Sequence, residues 1–321
     1  MSLNHWAAYY RGGALVSCPT NTEPNYSKEV RDAWVSFFTG LPDGARILDV
    51  GCGNGPVALI AKETATDLAR TFRIDAVDLA EIDPVRYIPN GETLFEGIRF
   101  HSGVSTENLP FNTSCMDAVC GQYIIEYTDV SRTLGEIARV LRPGGACQFI
   151  LHHADSIVVR NARESLRQAD FALDEAKVLR LFRRYCEKLD RSPARAESAR
   201  RALFDVGAQM QNAAQESENP LFLQFMVDSI NSLLQQRGRM SRGQMLKQTN
   251  RLERELKNWV RRLHDLVSGA QSEEDLAEIM SKAKKLGFTS IDWETQVQDG
   301  DNLVGWRLTM FRQKVESVAE G

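Results

Sequence analysis

A glycine-rich turn follows the first short apolar run of the chain. Segment 47–56 reads ILDVGCGNGP. Glycines permit a tight turn and let a ligand approach the backbone closely. Pro56 suits the first turn of a helix, where its missing N–H is no loss. The segment predicts a ligand site at the carboxyl end of a parallel strand, built from Gly51, Cys52, Gly53, Asn54 and Gly55.

Two carboxylates accompany this turn and indicate the chemistry of the ligand. Asp49 precedes the first glycine by two residues, and Asp78 closes the next apolar run. A carboxylate at 49 opposes a pyrophosphate but suits a cationic ammonium group. Asp78 can accept hydrogen bonds from both hydroxyls of a ribose. Pro56 stands where a dinucleotide fold needs its third glycine, which disfavours a nicotinamide dehydrogenase. The predicted cofactor is S-adenosyl-L-methionine, a cationic nucleoside without phosphate.

The elements that position these residues alternate between strand and helix. Strands are predicted over 46–50, 73–78, 98–101, 116–122 and 146–151, and helices over 56–70 and 130–141. Such alternation predicts a parallel sheet with helices on both faces. Ser272 begins a further helix, and an Asp-Gly joint at 299–300 predicts that strands 289–298 and 303–312 form an antiparallel hairpin. The expected fold class is α/β, a seven-stranded sheet whose last strand is antiparallel.

The alternation of strand and helix stops between the fifth strand and the helix that begins at Ser272, where only helical periodicity is present. The predicted organisation is an N-terminal helical segment at 4–45, a ligand-binding domain at 46–154 and 271–314, and an all-helical insertion at 155–270. Basic residues outnumber acidic ones in the insertion, but the two signs alternate as on solvated helix faces. A heptad seam favours either packing on the insertion's own helices or a homodimer; it consists of Leu252, Leu256, Trp259, Leu263 and Leu266.

Three further segments carry a resemblance to a known family. They read GVSTENLPF at 103–111, MDAV at 116–119 and EIARVLRPGG at 136–145. With the glycine turn, they resemble the class I, Rossmann-like S-adenosylmethionine-dependent methyltransferases. The particular likeness is to the small-molecule group typified by the ubiquinone and menaquinone biosynthesis methyltransferases. The resemblance covers residues 30–152 and 272–313 and leaves the insertion out.

The resemblance implies a role for each matching position. The three glycines would back the methionine part of the cofactor, and Asp49 would orient its amino group directly or through water. Asp78 would hold the ribose, with Leu79 against the adenine. The family often has Asp where Ser105 stands, and Thr106 would offer its backbone N–H to the ring. Gln122 and Tyr123 would face the sulfonium and the methyl acceptor.

Candidate catalytic residues follow the predicted strands at the same edge. His152 and His153 end the fifth strand, and either imidazole can serve as a general base near neutral pH. Tyr123 is the third candidate; the alternative for the histidines is an ordinary strand end. In many relatives an N-terminal segment closes over the cofactor. Tyr10, with neighbouring Tyr9 and Arg11, is expected to contact it unless this segment is a surface arm.

The whole chain narrows the class of function. It has 321 residues, net charge -4 and pI about 5.8, so no global basic field favours nucleic acid. Six cysteines without metal or redox spacing, no secretion signal and no apolar run long enough to span a membrane predict a cytoplasmic protein without a metal site. We expect methyl transfer to O, N or C of a small, apolar or aromatic acceptor, with the insertion forming a lid over it.

Two alternatives stay open. The first is an RNA or protein methyltransferase, although the segment after the fourth strand reads GQYI at 121–124 and lacks the Asn/Asp-Pro-Pro-Tyr signature of amino-group methylation. The second is a regulatory protein that binds S-adenosylmethionine without turnover.

Overall fold

The computed structural model describes residues 4–17, 25–189 and 193–314. The chain divides into two compact units, Met1–Val159 with Ser268–Gly321, and Arg160–Val267. The second unit interrupts the first after its fifth strand, as the sequence predicts.

The first unit contains one sheet of seven strands. Their bounds are β1 Arg46–Val50, β2 Arg73–Asp78, β3 Ile98–Ser102, β4 Met116–Gln122, β5 Leu141–His152, β6 Phe288–Gln298 and β7 Asn302–Arg312. The strand order is β3-β2-β1-β4-β5-β7-β6. Strands β1 to β5 pair in parallel, whereas β7 runs antiparallel to both β5 and β6. The predicted seven-stranded sheet with an antiparallel last strand is confirmed.

The strand order reverses between β1 and β4, which are neighbours in the sheet although distant in sequence. The carboxyl ends of β1, β2 and β4 therefore border one crevice, where open α/β sheets bind ligands. This arrangement positions the glycine turn after β1 and the segment after β4 on the same edge.

Helices cover both faces of this sheet. In the first unit they are α1 Asn4–Arg11, α2 Lys28–Thr39, α3 Pro56–Asp67, α4 Pro84–Tyr87, α5 Gly91–Leu94, α6 Val130–Val140 and α12 Glu273–Lys285. Trp34, Phe38 and Ile60 from α2 and α3 pack in one core cluster. Leu134 of α6 and Leu276 of α12 belong to a second cluster. The burial of large apolar side chains in two layers is what holds each helix against the sheet.

Some predicted boundaries differ from the observed ones. The helix predicted to Arg70 ends at Asp67, because Ala69 has a φ of 51° and leaves the helical conformation. Strand β5 begins at Leu141 rather than at 146, because Leu141 still pairs with Met116 and the intervening Pro-Gly-Gly forms an irregularity within the strand. Ser27 precedes α2 but makes no side-chain capping bond. At α12 the expected cap is confirmed as a complete capping box.

The second unit is built from helices alone among the residues that the structure describes. Helices in this part of the sequence are α7 Ile157–Ala169, α8 Val178–Lys188, α9 Pro193–Glu216, α10 Leu221–Gln235 and α11 Arg242–Gly269. Leu252 and Leu256 of the heptad seam are buried in the unit's own core, and Trp259 packs against Phe222 at 5.0 Å. This part of the seam packs within the insertion itself.

Candidate functional site

The glycine turn after β1 requires glycine on steric grounds. Gly51 and Gly53 have φ values of 65° and 52°, which L side chains adopt only with strain. A Cβ on Gly51 would lie 2.4 Å from the side chain of Ile124, and one on Gly53 would lie 2.7 Å from the ring of Tyr10. The turn is therefore shaped by close packing on both sides, and its backbone forms one wall of a cavity.

Asp78 holds this turn to the end of β2. One carboxylate oxygen accepts the backbone N–H of Gly53 at 2.8 Å, and the other accepts that of Ala80 at 2.7 Å. The side chain still borders the cavity. Burial raises the pKa of Asp78 to about 6, because desolvation outweighs the two hydrogen bonds that lower it. A carboxylate held in this way is positioned to accept further hydrogen bonds from a diol.

Asp49 and Asn54 lie behind the cavity wall, and neither lines the cavity. Asp49 is 1% exposed, and its carboxylate accepts the N–H of Ala58 in α3 at 3.1 Å. The pKa of Asp49 is raised to about 8, chiefly by burial and to a smaller extent by the neighbouring Asp78, while the hydrogen bond from Ala58 lowers it. The amide of Asn54 donates to the carbonyls of Tyr10 and Ala14, at 2.9 and 2.7 Å. Asn54 thus anchors the N-terminal segment to the glycine turn.

The N-terminal segment forms the opposite wall. Trp6 and Tyr10 of α1 stack with ring centroids 6.0 Å apart, and both line the cavity with Tyr26. Burial raises the pKa of Tyr10 well above its ordinary value, so its hydroxyl stays neutral. Arg11 instead pairs with Glu81 on the surface at 3.2 Å and is not among the lining residues. Of this segment's predicted contacts, the structure brings Tyr10 to the cavity.

One cavity brings most of the predicted site residues together. Predicted residues that line it are Tyr10, Gly51, Cys52, Gly53, Asp78, Leu79, Ser105, Thr106, Gln122, Tyr123 and His152. Gly55 and His153 do not. Lining residues that sequence reasoning missed include Trp6, Leu15, Tyr26, Glu107, Tyr127 and Thr128.

The resemblance predicts that Ser105 and Thr106 lie near the adenine, and both side chains have hydrogen-bonding partners in the protein. Ser105 accepts the backbone N–H of Glu107 at 3.2 Å. Thr106 is buried, and its hydroxyl lies 3.3 Å from that of Thr133. Cys52 is buried too, and desolvation raises the pKa of its thiol well above the ordinary value, so it is not a nucleophile at neutral pH.

Gln122 at the end of β4 is held by a residue that lies 88 positions earlier in the chain. The indole N–H of Trp34 donates to the Gln122 side-chain oxygen at 2.7 Å, and both residues are buried. Because an indole N–H can only donate, the amide oxygen of Gln122 must face Trp34. The amide NH2 is consequently the group that Gln122 can offer to a ligand.

The two candidate histidines have different environments. His152 lines the cavity, with Tyr123 stacked on its ring at a centroid distance of 3.7 Å. His153 stacks on Trp306 at 4.1 Å, accepts the N–H of Asp155 and lies outside the cavity lining. Burial lowers the pKa of His153. Only His152 is placed to contact a molecule in this cavity.

Tyr123 has a backbone conformation that is rare for its residue type. Its φ is 57°, and its N–H donates to the carbonyl of Ile150 in β5 at 2.7 Å. Residues held in sparsely populated backbone regions cluster at functional sites. The strained turn directs this ring across His152, at the edge where β4 and β5 end.

Five of the six cysteines fall in the described residues, and all five are free thiols; Cys18 lies outside them. Within the same residues there is no cluster of three side chains able to hold a metal ion. No helix among them is long and apolar enough to cross a membrane.

Comparison with known proteins agrees with this architecture. Residues 48–149 match a family model described as "Methyltransferase domain". Methyltransferase GfsG of Streptomyces halstedii is 29% identical over 165 residues, covering 51% of this chain and 55% of that protein. Malonyl-[acyl-carrier protein] O-methyltransferase of Pectobacterium atrosepticum is 28% identical over 107 residues, covering 33% and 38%. The chain spans about half or less of the length of these curated relatives.

Among solved structures, 1,6-didemethyltoxoflavin-N1-methyltransferase of Burkholderia thailandensis aligns with 90% of this chain and 80% of its own, at 14% identity and a TM-score of 0.44. Residues 48–149 are thus similar to a methyltransferase domain, and the sheet that contains them has the Rossmann-like strand order β3-β2-β1-β4-β5-β7-β6.

Proposed function

We propose that this protein transfers the methyl group of S-adenosylmethionine to a small, uncharged or cationic acceptor. The observation that carries the proposal is one cavity bordered at once by the glycine turn, by Asp78 and by the Tyr123–His152 stack. With the ribose at Asp78, the methionine part would lie along the glycine turn. The methyl group and its acceptor would then lie at the Tyr123–His152 stack.

The charges around the cavity favour this class of acceptor. Asp78 and Glu107 are among the lining residues, and no Lys or Arg is among those that the structure describes there. Glu107 forms a salt bridge with Arg132 at 3.0 Å. Among the described lining residues, Asp78 is therefore the carboxylate without a cationic partner. A phosphate or carboxylate on the acceptor would meet no Lys or Arg among these lining residues, which disfavours anionic acceptors and nucleic acid.

The aromatic lining supports an apolar or aromatic acceptor. Trp6, Tyr10, Tyr26, Tyr123 and Tyr127 all contribute to the wall. Such rings bury apolar surface, pack face or edge against planar molecules and attract cations over their faces. The same wall excludes water, which strengthens every polar interaction inside.

The bound cofactor supplies a methyl group already activated by its sulfonium, so the residues of the chain mainly bind and align. Asp78 would hold the ribose, and the Gln122 amide would donate to a carboxylate or to the acceptor. Holding the acceptor in line with the methyl–sulfur bond accounts for most of the rate enhancement in this interpretation. Of the catalytic candidates, we propose a role for His152 and Tyr123 and none for His153.

Three expectations from the sequence remain predictions: a cytoplasmic location, a lid role for the insertion and a homodimer formed through it. The free thiols are compatible with a reducing compartment. Burial of Leu252 and Leu256 favours a structural role for that half of the seam over a dimer contact.

Calorimetry with S-adenosylmethionine tests the cofactor, and release of S-adenosylhomocysteine tests turnover. The acceptor panel should contain neutral phenols, amines, matched carboxylates and phosphates, and a short RNA. We expect turnover with phenols or amines and none with the anionic analogues. Cofactor binding without turnover on any member would favour the regulatory alternative, and turnover only on RNA would favour the other rival.

A further inference from the structure

A buried carboxylate lies directly behind His152. Glu126 belongs to the 3-10 turn Ile125–Tyr127 that follows β4, and its side chain is fully buried. One of its oxygens, Oε1, lies 2.9 Å from Nδ1 of His152 and also accepts the His152 backbone N–H at 2.9 Å. The second oxygen, Oε2, is buried and has no hydrogen-bond partner among the described residues. The carboxylate is therefore dedicated to His152.

This contact determines how the imidazole carries its proton. A carboxylate accepts, so the hydrogen bond places the proton on Nδ1 and leaves Nε2 with its lone pair. Tyr123 covers the ring face at 3.7 Å, and the Tyr127 hydroxyl lies 3.3 Å from Nδ1. With one face and one edge held, the ring has one orientation in the cavity wall.

The backbone bond adds a second constraint. Because Oε1 accepts both the side chain and the main-chain N–H of the same residue, Glu126 cannot rotate away without losing two hydrogen bonds. It ties the end of β5 to the turn after β4, the two segments that carry His152 and Tyr123. Among the described residues neither segment brings a Lys or Arg to this carboxylate, so the His152 imidazole is the side chain that it contacts.

We propose that Glu126 is a positioning residue that makes His152 the general base, and that the acceptor consequently carries an O–H or N–H. This inference rests on the proposed function. The lone pair of the acceptor's oxygen or nitrogen forms the bond to the methyl carbon, and the methyl–sulfur bond breaks with its electron pair going to sulfur. The acceptor's proton passes to Nε2 of His152, and Glu126 stabilises the imidazolium through Nδ1–H.

The first test needs no acceptor. Long-range proton–nitrogen NMR on protein labelled at its five histidines reports which ring nitrogen is protonated, and His152→Asn identifies the signal. We expect Nδ1–H and an unprotonated Nε2 in the neutral form of the wild type. Glu126→Ala, which removes the acceptor, should give a mixture of tautomers. An Nε2–H tautomer in the wild type, or an unchanged spectrum in Glu126→Ala, would overturn the proposal.

The second test separates charge from shape. In Glu126→Gln the amide oxygen is kept facing His152 by the backbone N–H, so the tautomer should persist while the negative charge is lost. With a phenol or amine acceptor from the panel, we expect kcat to fall about 100-fold, near the lower end of general-base effects. The affinity for S-adenosylmethionine should change less than about threefold. Glu126→Gln combined with His152→Asn should lose no more than His152→Asn alone.

Glu136→Gln is the control, because Glu136 also accepts a backbone N–H, from Leu109 at 2.7 Å, but its ionic partner is Arg139 and not a histidine of the cavity wall. Full kcat in a folded Glu126→Gln variant would refute the positioning role. Cofactor binding with no turnover on any acceptor would refute the proposed function instead, and the tautomer would still decide the role of Glu126.

Discussion

Asp78→Asn separates what Asp78 does for the fold from what it does for a ligand. Each oxygen of the wild-type carboxylate accepts one backbone N–H, from Gly53 and from Ala80. Asparagine has only one acceptor oxygen, so its NH2 group must face one of these two N–H groups. It is uncharged like the protonated carboxyl group, but its NH2 cannot accept, so one backbone N–H loses its acceptor at every pH, at a cost of about 1–3 kcal/mol. The pH dependence of its stability relative to the wild type therefore reports the cost of keeping Asp78 ionised in the folded protein.

The magnitude follows from the pKa. Burial raises the pKa of Asp78 from 3.8 to about 6, a rise of about two units, and each unit corresponds to about 1.4 kcal/mol. The stability associated with this group is complete below about pH 4 and is lost as the pH rises to about 6. Relative to the wild type, the variant's free energy of unfolding should therefore rise by up to about 3 kcal/mol between pH 4 and pH 7, starting from the deficit that the lost hydrogen bond leaves below pH 4.

The affinity of Asp78→Asn for S-adenosylmethionine should fall. Hydrogen bonds to a charged group contribute about 1.5–3 kcal/mol, so losing the charge that holds the ribose should weaken S-adenosylmethionine by about 10- to 100-fold. Urea denaturation between pH 4 and 8 measures the first effect, and calorimetry at pH 7.5 measures the second.

Asp43→Asn is the control for this pair of measurements. Asp43 also accepts two backbone N–H groups, from Gly44 and Thr71, but both bonds go to the same oxygen, Oδ1. Asparagine keeps both, so stability and binding should stay close to those of the wild type. The reasoning fails if Asp78→Asn binds the cofactor with unchanged affinity, or if its stability relative to the wild type does not rise between pH 4 and pH 7.

Four other substitutions test the site and its surroundings. Gly44→Ala should cost about 1–2 kcal/mol in urea denaturation because Gly44 has positive φ, and Gly53→Ala should cost more, because its Cβ would also meet the Tyr10 ring. Only Gly53→Ala should also weaken cofactor binding in calorimetry, since a Cβ on Gly44 would meet nothing within 4 Å; equal binding by both variants would contradict this. Trp34→Phe leaves the buried Gln122 oxygen without its donor and should cost about 1–3 kcal/mol; an unchanged urea midpoint would show that this hydrogen bond is dispensable. Burial raises the pKa of Asp49 to about 8, so wild-type stability associated with this group falls between about pH 4 and 8; Asp49→Asn should remove that decline, and an unchanged pH profile of unfolding would refute it.

Local sequence pattern was enough to predict the sheet and the cofactor edge. The glycine turn and Asp78 lie at strand ends that are recognisable from short apolar runs and turn residues. Side chains at strand ends share one edge of a parallel sheet, so their proximity follows from topology. The boundaries of β5 and α3 were predicted less accurately, because a pairing irregularity and one left-handed residue override local propensity.

The direction of individual side chains was not predictable in this way. The sequence places Asp49 near the ligand but does not show that its carboxylate accepts the N–H of Ala58 in α3; its role toward the cofactor, directly or through water, stays a prediction. His152 and His153 were equivalent candidates, because only the alternation of the strand and the neighbouring residues distinguish the cavity side from the Trp306 side. One feature of the sequence could have identified Glu126 as a site residue: it follows β4, at the same edge of the sheet where His152 ends β5.

What the sequence by itself determined is the order of strands and helices, the turn that needs glycine and the acidic residue at the tip of β2. These are local properties, set by conformational freedom and hydrophobic periodicity over a few residues. What only the tertiary structure decided are the contacts between distant segments: Tyr10 on Gly53, Trp34 on Gln122 and Glu126 on His152. Such pairs depend on which strands become neighbours and on how each side chain packs, and no short stretch of sequence contains that information.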